Sequence, residues 1–419
     1  TSRKRMVGGF YSYDNKTETK DLVEFLKKSL ESRGVAEVKA SDRLVDSPAL
    51  ALLCALLLAC GQPQEPGPKE PVPKAADPKA SPASIQPSPR DAGGPPVRKD
   101  GTIYAETEQM GTRVSINLLV GDHPPAEAGA AIEAAFVEIE RIEQIMSEWR
   151  PDSELSQLND DAGGPMRPLS PELFEVLQRS KEIAELTGGA FDPTFYAVGQ
   201  LWKFERGARP PAREAIEAKR ALIDWRSIEL DPATRTGRLA RTGMKVGLGA
   251  IAKGYAVDRA SRLLTERGFR DHIVEGGGDT YVSGKKAGKP WMVGIQKPDG
   301  PGSTAAIPTS DRAVVTSGDY QRYIEYEGVR YAHIFDPRTG FPVPEERSCQ
   351  SVTVLAANAT DADAFATAVA VMGPDDGMAF IRSHPELDAF LILRDGTHRV
   401  SPALEPLLVY PPEKKPPPP

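Results

Sequence analysis

Residues 316–343 read TSGDYQRYIEYEGVRYAHIFDPRTGFPV. Two runs rich in aromatic and β-branched residues flank the Glu-Gly pair at 327–328, a pattern typical of a β-hairpin. The second run ends at His333, and the DPRTG segment at 336–340 predicts a turn. Several chemically capable side chains therefore collect at a strand end, where functional residues are often placed. On spacing alone, a half-buried strand histidine beside an ordinary turn is the more economical interpretation.

The composition bounds the class of protein. The chain has 419 residues, enough for two ordinary domains or one large one. Its net charge of -7 gives no basic footprint for nucleic acid. The three cysteines, Cys54, Cys60 and Cys349, are too few and too scattered for a disulfide framework.

An apolar run lies well inside the chain, at residues 49–59 (ALALLCALLLA). It is too short to span a bilayer as a permanent helix, but it has the length of a signal-peptide core. The following LLAC, ending at Cys60, resembles a lipoprotein signal box in which the cysteine is lipidated. A buried core helix with an incidental cysteine is the alternative. Because such a box normally lies near the start, we expect translation to begin at Val38.

Residues 60–100 are dominated by Pro, Ala, Lys and Ser. Such a segment buries too little apolar surface to fold, and its prolines make it an extended spacer. The predicted organisation is an extra extension (1–37), a signal peptide (38–59), a tether (60–100), a folded body (101–410) and a Pro-rich tail (411–419). We therefore expect a protein anchored by lipid at Cys60 to the periplasmic face of a cell-envelope membrane.

The first half of the body alternates strand and helix signals. Strand-like runs flank Met110-Gly111, where the glycine indicates a bulge or turn. Residues 125–149 carry an apolar stripe at helical spacing and end at Trp149, which on pattern alone is a core anchor. A second amphipathic helix is predicted at 170–186. The glycine pair at 188–189 that follows allows either a close backbone approach or a helix C-cap.

Residues 248–258 read LGAIAKGYAVD and follow a strand-like run at 244–246. Small residues and then Lys253 at a strand-to-helix junction suit a phosphate, because backbone N–H groups and the helix dipole favour an anion there. The segment lacks the GxxxxGK[ST] pattern of a phosphate loop. No G-x-G-x-x-G opens a helix after a strand, which disfavours a Rossmann fold.

A helix is predicted at 360–372, closed by Gly373. Asp363 and Thr367 are four residues apart, so both side chains lie on one helix face. Thr360 and Asp363 also match the Ser/Thr-x-x-acid pattern of a helix cap, which is the structural alternative for this pair.

Taken together, these segments resemble the ApbE-type flavin transferases, the FAD:protein FMN transferase family. The resemblance rests on the HIFDPRTG segment at 333–340 and on blocks in the expected order from 110–112 to 363–367. It covers roughly residues 100–405. It implies an α+β fold related to the T-fold, with one large domain whose two subdomains enclose FAD.

The resemblance also implies roles for particular residues. His333 would be the catalytic base, and Mg²⁺ would be held by the Ala250 carbonyl, Asp363 and Thr367. Gly247 stands where the family commonly has an aspartate that touches FAD, so that contact is not expected here. The implied FAD contacts are Met110, Trp149, Ala190, Phe191, Asp192, Lys253, His333 and Ile334.

The activity that the resemblance implies is Mg²⁺-dependent transfer of FMN from FAD to a threonine hydroxyl of an acceptor protein. A phosphoester bond would form and AMP would be released. Hydrolysis of FAD to FMN and AMP is the alternative in another catalytic class. A flavin-binding lipoprotein without turnover is a third possibility, which loss of His333, Lys253 or the metal ligands would have favoured.

Overall fold

The computed structural model describes residues 95–205, 207–320 and 322–411. The predicted extension, the predicted signal peptide with Cys60, most of the predicted tether, and residues 412–419 lie outside them. The body predicted for 101–410 lies almost wholly within them. None of the described helices is long and apolar enough to cross a bilayer.

The described strands and helices follow in chain order. The strands are β1 (Thr102–Gln109), β2 (Thr112–Leu119), β3 (Arg167–Pro168), β4 (Ile228–Asp231), β5 (Thr236–Leu239), β6 (His272–Gly276), β7 (Asp279–Ser283), β8 (Trp291–Gln296), β9 (Ser303–Thr309), β10 (Arg312–Gly318), β11 (Tyr323–Tyr326), β12 (Val329–Ala332), β13 (Phe335–Asp336), β14 (Phe341–Pro342), β15 (Ser351–Ala356), β16 (Asp388–Ile392) and β17 (His398–Val400). The helices are α1 (Pro125–Met146), α2 (Glu154–Asp160), α3 (Pro171–Leu186), α4 (Tyr196–Gly199), α5 (Arg213–Arg220), α6 (Ala252–Glu266), α7 (Ala359–Met372) and α8 (Pro374–Ser383).

Eight of these strands form one sheet in the order β1-β2-β6-β7-β10-β15-β16-β17, and every neighbouring pair is antiparallel. The strands β15 and β16 are buried at every position. On β15, Val352 and Val354 belong to the main core beneath the helices. Leu355 belongs instead to a second cluster with Ile295 and Ile307 of the β8–β9 hairpin. Because both faces of these strands are covered, neither strand alternates between buried and exposed residues. The mixture of helices with antiparallel sheets confirms the α+β class, whereas the division into two subdomains stays a prediction.

The helix ends largely follow the expected chemistry. The Ser170 side chain caps α3 by accepting from the Leu173 N–H. At the other end of α3, the Gly189 N–H donates to the Ala184 carbonyl and the Gly188 N–H to the Glu185 carbonyl. These two bonds make a Schellman motif, so the glycine pair serves as a C-cap.

Residues 244–246, which we expected to form a strand, do not form one. The side-chain amide of Asn159 takes the place of a strand partner. It donates to the Val246 carbonyl at 2.8 Å and accepts from the Val246 N–H at 2.7 Å. The segment is extended and apolar, but its backbone bonds go to a side chain rather than to a ladder.

The quoted hairpin forms as predicted, with β11 and β12 paired across positions 327–328. It rests on a third hydrophobic cluster built from Val198, Trp202, Ile216 and Ile324. Aromatic rings continue this cluster towards the hairpin end, where Phe335 lies 5.3 Å from Trp202 between ring centroids. The cluster positions the DPRTG turn and the histidine that precedes it.

Candidate active site

Three separate elements of the main sheet and its helices meet at Lys253. The lysine lies in the first turn of α6, and its Nζ is 2.6 Å from Asp279 Oδ2 and 3.3 Å from Asp363 Oδ2. Asp279 opens β7, and Asp363 lies on α7. The sequence separates these residues by up to 110 positions. We call Lys253, Asp279 and Asp363 the charged cluster.

Burial makes the charged cluster electrostatically demanding. Asp279 is 1% exposed and Asp363 is 2% exposed, so two buried carboxylates face one ammonium group. Desolvation and then the charge of Asp363 raise the pKa of Asp279 well above its usual value. Burial alone would lower the pKa of Lys253, but the two carboxylates outweigh it and raise that pKa. With both carboxylates ionised the cluster would carry an excess of buried negative charge, which either a proton on Asp279 or a bound cation would balance.

The predicted metal ligands can be tested against this geometry. Thr367 Oγ1 lies 3.5 Å from Ser317 Oγ at the end of β10, one helical turn along α7 from Asp363. Ala250, whose carbonyl is the third predicted ligand, precedes the N-cap Ile251 of α6. The Gly254 N–H lies in the first turn of α6, where it has no partner within the helix, and it donates to Asp363 Oδ2 at 3.3 Å. Among the described residues, no three His, Cys, Asp or Glu side chains converge on a metal position. A metal here would therefore need carbonyl and hydroxyl ligands. Such a set, with one buried carboxylate, fits a hard cation such as Mg²⁺.

The capping alternative for Asp363 is wrong. The N-cap of α7 is Asn358, whose side chain accepts from the Asp361 N–H at 2.7 Å. Thr360 is already inside the helix, and Asp363 is its fifth residue, too far along to reach an unpaired N–H of the first turn. Asp363 instead accepts hydrogen bonds from Lys253 and Gly254 of α6.

A glycine turn presents Asp279 to the cluster. Gly277 and Gly278 have φ values of 63° and 100°, which L side chains rarely adopt. A Cβ on Gly277 would lie 2.7 Å from the Thr112 hydroxyl. The turn is therefore specific for glycine, both by conformation and by space. Sequence reasoning gave Asp279 no role, because only the fold reveals its contact with Lys253.

Met110 approaches the charged cluster from the β1–β2 turn. Its φ is 51°, and its N–H donates to Glu143 Oε2 at 2.7 Å, which holds the strained turn in place. Met110 and Lys253 line one small cavity together with Thr112, Val114, Ile139, Ala256, Val257 and Gly276. The structure thus brings these two predicted contacts together.

Trp149 is not a core anchor, because it is 76% exposed. Its ring packs edge-on against Tyr196 at 6.3 Å between centroids. Tyr196 in turn covers Gly247, where a Cβ would lie 2.9 Å from both Cβ and Cγ of the tyrosine. The tyrosine therefore leaves no room for a side chain at the position where the family commonly has an aspartate.

Glu148, which sequence reasoning missed, adds a carboxylate next to Trp149 in the chain. Burial raises its pKa, while nearby backbone N–H groups and the charge of Lys253 oppose the rise. Its Oε1 lies 3.3 Å from the position that a Cβ on Gly249 would take. No sequence motif marked this glutamate.

The segment at 190–192 is buried, with exposed fractions of 1%, 3% and 9% for Ala190, Phe191 and Asp192. Asp192 Oδ1 accepts from both the N–H and the hydroxyl of Thr194, and its Oδ2 accepts from the Trp225 N–H. Local structure therefore occupies this carboxylate. A contact with FAD from this segment would have to come from its backbone.

His333 is half-buried at the hairpin end. Its Nδ1 lies 3.1 Å from the Arg322 carbonyl oxygen. Because a carbonyl can only accept, Nδ1 carries the hydrogen and Nε2 keeps its lone pair. Desolvation lowers the pKa of His333 to about 4, with smaller contributions from the charges of Arg322 and Lys253. The imidazole is therefore neutral at physiological pH.

The structure places His333 within electrostatic reach of the charged cluster, but no hydrogen bond among the described residues joins the two. Ile334 follows it and packs against the main core. Asp336 makes a bidentate pair with Arg338, at 2.7 Å and 2.8 Å, so these two residues stabilise the turn. Asp336 and Arg338 are thus paired with each other, whereas Nε2 of His333 makes no hydrogen bond to a described residue.

A cavity of about 960 Å³ lies elsewhere, lined by α3, α6 and the segment before α7. None of the predicted site residues lines it. Size alone therefore does not locate the chemistry, which follows the convergence of charged groups at Lys253 instead.

The site fits the class of enzymes that act on phosphate esters. It combines oxygen atoms that could bind a hard cation, a lysine among buried carboxylates and a neutral histidine. Comparison with known proteins narrows this class. A family model described as the ApbE family matches residues 110–391. A Treponema pallidum protein named FAD:protein FMN transferase is 38% identical over 296 residues, covering 66% of this chain and 81% of the relative. A Vibrio cholerae protein with the same name is 36% identical, covering 58% and 73%.

Solved structures agree with this. The crystal structure of the ApbE protein from Thermotoga maritima matches with a TM-score of 0.67 and 32% identity, covering 73% of this chain and 99% of that one. The flavin transferase ApbE from Vibrio cholerae matches with a TM-score of 0.65 and 31% identity over the same shares. The chain belongs to the ApbE family.

Proposed function

We propose that this protein transfers FMN from FAD to a threonine hydroxyl of an acceptor protein, in a Mg²⁺-dependent reaction that releases AMP. Its family membership makes it a transferase, and its relatives' names supply the flavin donor and the protein acceptor. The observation that carries the proposal is the charged cluster, in which Lys253 contacts both Asp279 and Asp363 beside Thr367.

The reaction requires one bond to form and one to break. The threonine oxygen attacks the phosphorus on the riboflavin side of the FAD pyrophosphate. The bond from that phosphorus to the bridging oxygen breaks, and AMP leaves with the bridging oxygen. The hydroxyl proton passes to His333 Nε2, which is unprotonated because Nδ1 is committed to the Arg322 carbonyl.

The charged groups stabilise the phosphates during this attack. Lys253 offers a positive charge that does not depend on pH in the physiological range, because its carboxylate partners raise its pKa. Asp363, Thr367 and the Ala250 carbonyl would hold Mg²⁺, which would supply charge neutralisation at the phosphate oxygens. Asp279 contacts Lys253 Nζ at 2.6 Å and keeps its ammonium group in place.

The remaining predicted residues would form the surface that binds the flavin and the adenosine. Met110 lines the same small cavity as Lys253. The exposed ring of Trp149 offers an apolar face for an aromatic ligand. The backbone at 190–192 and the Ile334 side chain complete the predicted contacts. We propose these residues as the FAD-binding set.

The proposal includes a place in the cell. The LLAC box ending at Cys60, followed by a proline-rich tether, supports a lipid anchor on the periplasmic face of a membrane. Mass spectrometry of membrane-extracted protein tests this. We expect a lipidated Cys60 at the mature N-terminus, and an intact chain upstream of Cys60 would contradict it.

One assay tests the activity. The protein is incubated with FAD, Mg²⁺ and a candidate acceptor, and protein-bound FMN is resolved from free FMN and AMP. We expect bound FMN and AMP in equal amounts, with none when the acceptor threonine is replaced by valine. Free FMN and AMP without bound FMN would assign hydrolysis instead, and unchanged FAD would assign a binding protein.

A further inference from the structure

A carboxylate with no place in the mechanism above joins helices α6 and α7. Asp258 Oδ1 accepts from the Ala359 N–H at 2.8 Å. Its Oδ2 accepts from the Thr360 N–H at 2.8 Å and from the Thr360 hydroxyl at 2.5 Å. One α6 side chain therefore pairs two of the N–H groups that the first turn of α7 cannot pair within its own helix.

The same face of α6 touches α7 one turn earlier. Gly254 and Asp258 are four residues apart, so they lie on one side of the helix. A Cβ on Gly254 would lie 2.1 Å from the Ala359 carbonyl oxygen, so the two backbones are in direct contact there. Asp363 is likewise four residues from Ala359, and its Oδ2 accepts from the Gly254 N–H at 3.3 Å. Two contact points, rather than one, fix how α7 crosses α6.

This matters because the proposed metal ligands are divided between the two helices. Ala250 lies two residues before the start of α6, whereas Asp363 and Thr367 lie on α7. The spacing between the Ala250 carbonyl and the α7 ligands therefore depends on the helix crossing. α7 also packs on β10, β15 and α8, and Arg179 of α3 contacts Asp361 at 2.7 Å. Against α6, the first turn of α7 is held by the Gly254 contact and, one turn away, by the Asp258 bonds.

We propose that Asp258 is a positioning residue that assembles the two halves of the metal site by holding the first turn of α7 against α6. This rests on the proposed metal site. Asp258 touches neither substrate nor metal; it acts through α7 on Asp363 and Thr367. Outer partners of this kind typically change metal affinity by about 10- to 100-fold when removed.

The chain offers a matched control. Asn358 also caps α7, accepting from the Asp361 N–H at 2.7 Å, but its side chain makes no bond to α6. Asp258→Ala and Asn358→Ala therefore both remove capping of the same helix, and we expect both to lower the melting temperature. Only Asp258→Ala removes the link between the two halves of the proposed site.

The experiment measures metal binding rather than turnover. The Mg²⁺-dependent rise in melting temperature is titrated with FAD present and no acceptor, for the wild type and for both variants. We expect Asn358→Ala to keep the wild-type half-saturating Mg²⁺ concentration within about twofold. We expect Asp258→Ala to raise it by about 10-fold or more. Equal half-saturation in the two variants would overturn the proposal.

Two further variants keep the result decisive. If Asp258→Ala does not fold, Asp258→Asn takes its place, because it keeps the size of the side chain and one acceptor oxygen. We expect it to raise the half-saturating Mg²⁺ concentration by a smaller factor than Asp258→Ala would, and an unchanged value relative to Asn358→Ala would overturn the proposal. Asp363→Asn reports on the metal site itself. If it abolishes the Mg²⁺ response while Asp258→Ala leaves that response intact, only the positioning role is overturned. If Asp363→Asn keeps the full response, the metal site and the positioning role are both overturned.

Discussion

The charged cluster and the His333 hairpin are the two sides of one proposed site, and they are built in opposite ways. Each member of the charged cluster lies at the start of a helix or strand or on a helix face, and its carboxylates are almost fully buried. His333 follows a short hairpin, is half-buried, and is held through Nδ1 by a single backbone carbonyl. The first side is fixed by many interactions and the second by few.

The difference follows from what each side must do. Buried charges are costly unless they are paired, so a cluster that holds phosphates and a cation has to be organised in advance. A base for a protein substrate needs one unpaired nitrogen that the acceptor can reach, which a fully buried and fully bonded histidine would lack. We therefore expect substitutions in the cluster to change charge and metal dependence, and substitutions at His333 to change proton transfer.

The largest expected effect separates chemistry from binding on the hairpin side. His333→Ala should lower kcat by about 10²- to 10⁴-fold, the usual range for general acid–base catalysis. FAD affinity should change little, because the imidazole acts mainly in the transition state. The measurement is turnover together with FAD titration, and His398→Ala, at an exposed position of β17, is the control. Equal losses in turnover and affinity would mean that His333 is structural.

On the cluster side, Asp363→Asn should abolish the dependence on Mg²⁺ and lower turnover by about 10³-fold, since metal stabilisation amounts to several kcal/mol. The variant should remain folded because Asn358, not Asp363, caps α7. Lys253 also keeps Asp279 as its partner at 2.6 Å. Thermal melts and Mg²⁺ titrations of turnover provide the measurement. Normal Mg²⁺-dependent turnover would remove Asp363 from the metal site.

A smaller effect is expected in the pH dependence of kcat/KM, which reports on the protonation of His333. Because burial lowers the pKa of His333 to about 4, the free enzyme keeps its base unprotonated well into the acid range. We expect kcat/KM to change less than about twofold between pH 7 and pH 5. With a histidine of ordinary pKa near 6.5, kcat/KM would fall about 25-fold over this range. A steep fall in kcat/KM near pH 6.5 would show that His333 is not desolvated as described.

The smallest expected effect concerns the packing of Tyr196 on Gly247. Gly247→Asp restores the acid that the family commonly carries, but its Cβ would lie 2.9 Å from the Tyr196 ring. We expect it to lower the free energy of unfolding by about 1–3 kcal/mol, as overpacking usually does. Urea denaturation measures this, with Gly300→Asp, where a Cβ meets nothing within 4 Å, as the control. Tyr196→Ala removes the ring but keeps a Cβ 2.9 Å from the new side chain, so it should relieve only part of the loss. A fully tolerated Gly247→Asp would contradict the packing argument.

The sequence predicted the elements better than their contacts. Local signals located α1, α3 and the hairpin at 323–332, because caps, glycines and periodicity act over a few residues. It failed at 244–246, where an extended apolar segment satisfies its backbone through Asn159 rather than through a neighbouring strand. Nothing local distinguishes those two ways of pairing an extended backbone.

The candidate site shows the same division. Resemblance marked Lys253 and Asp363 one at a time, but neither motif indicated that Lys253 contacts both Asp363 and Asp279. The cap assigned to Thr360 and Asp363 was wrong because Asn358, two residues before the predicted helix, is the N-cap and α7 starts at Ala359. Contacts between residues 26 and 110 positions apart are properties of the fold, and spacing patterns within one helix carry no information about them.

The order of strands in the sheet has a consequence for how the chain reaches this structure. Ser115 on β2 pairs with Glu275 on β6, 160 residues further along. Closing so large a loop is entropically costly, and pairings of this kind slow folding. Until β6 is in place, one edge of the β1–β2 hairpin stays open to strands of other chains. Refolding yield should therefore fall as protein concentration rises, even though the completed sheet covers that edge.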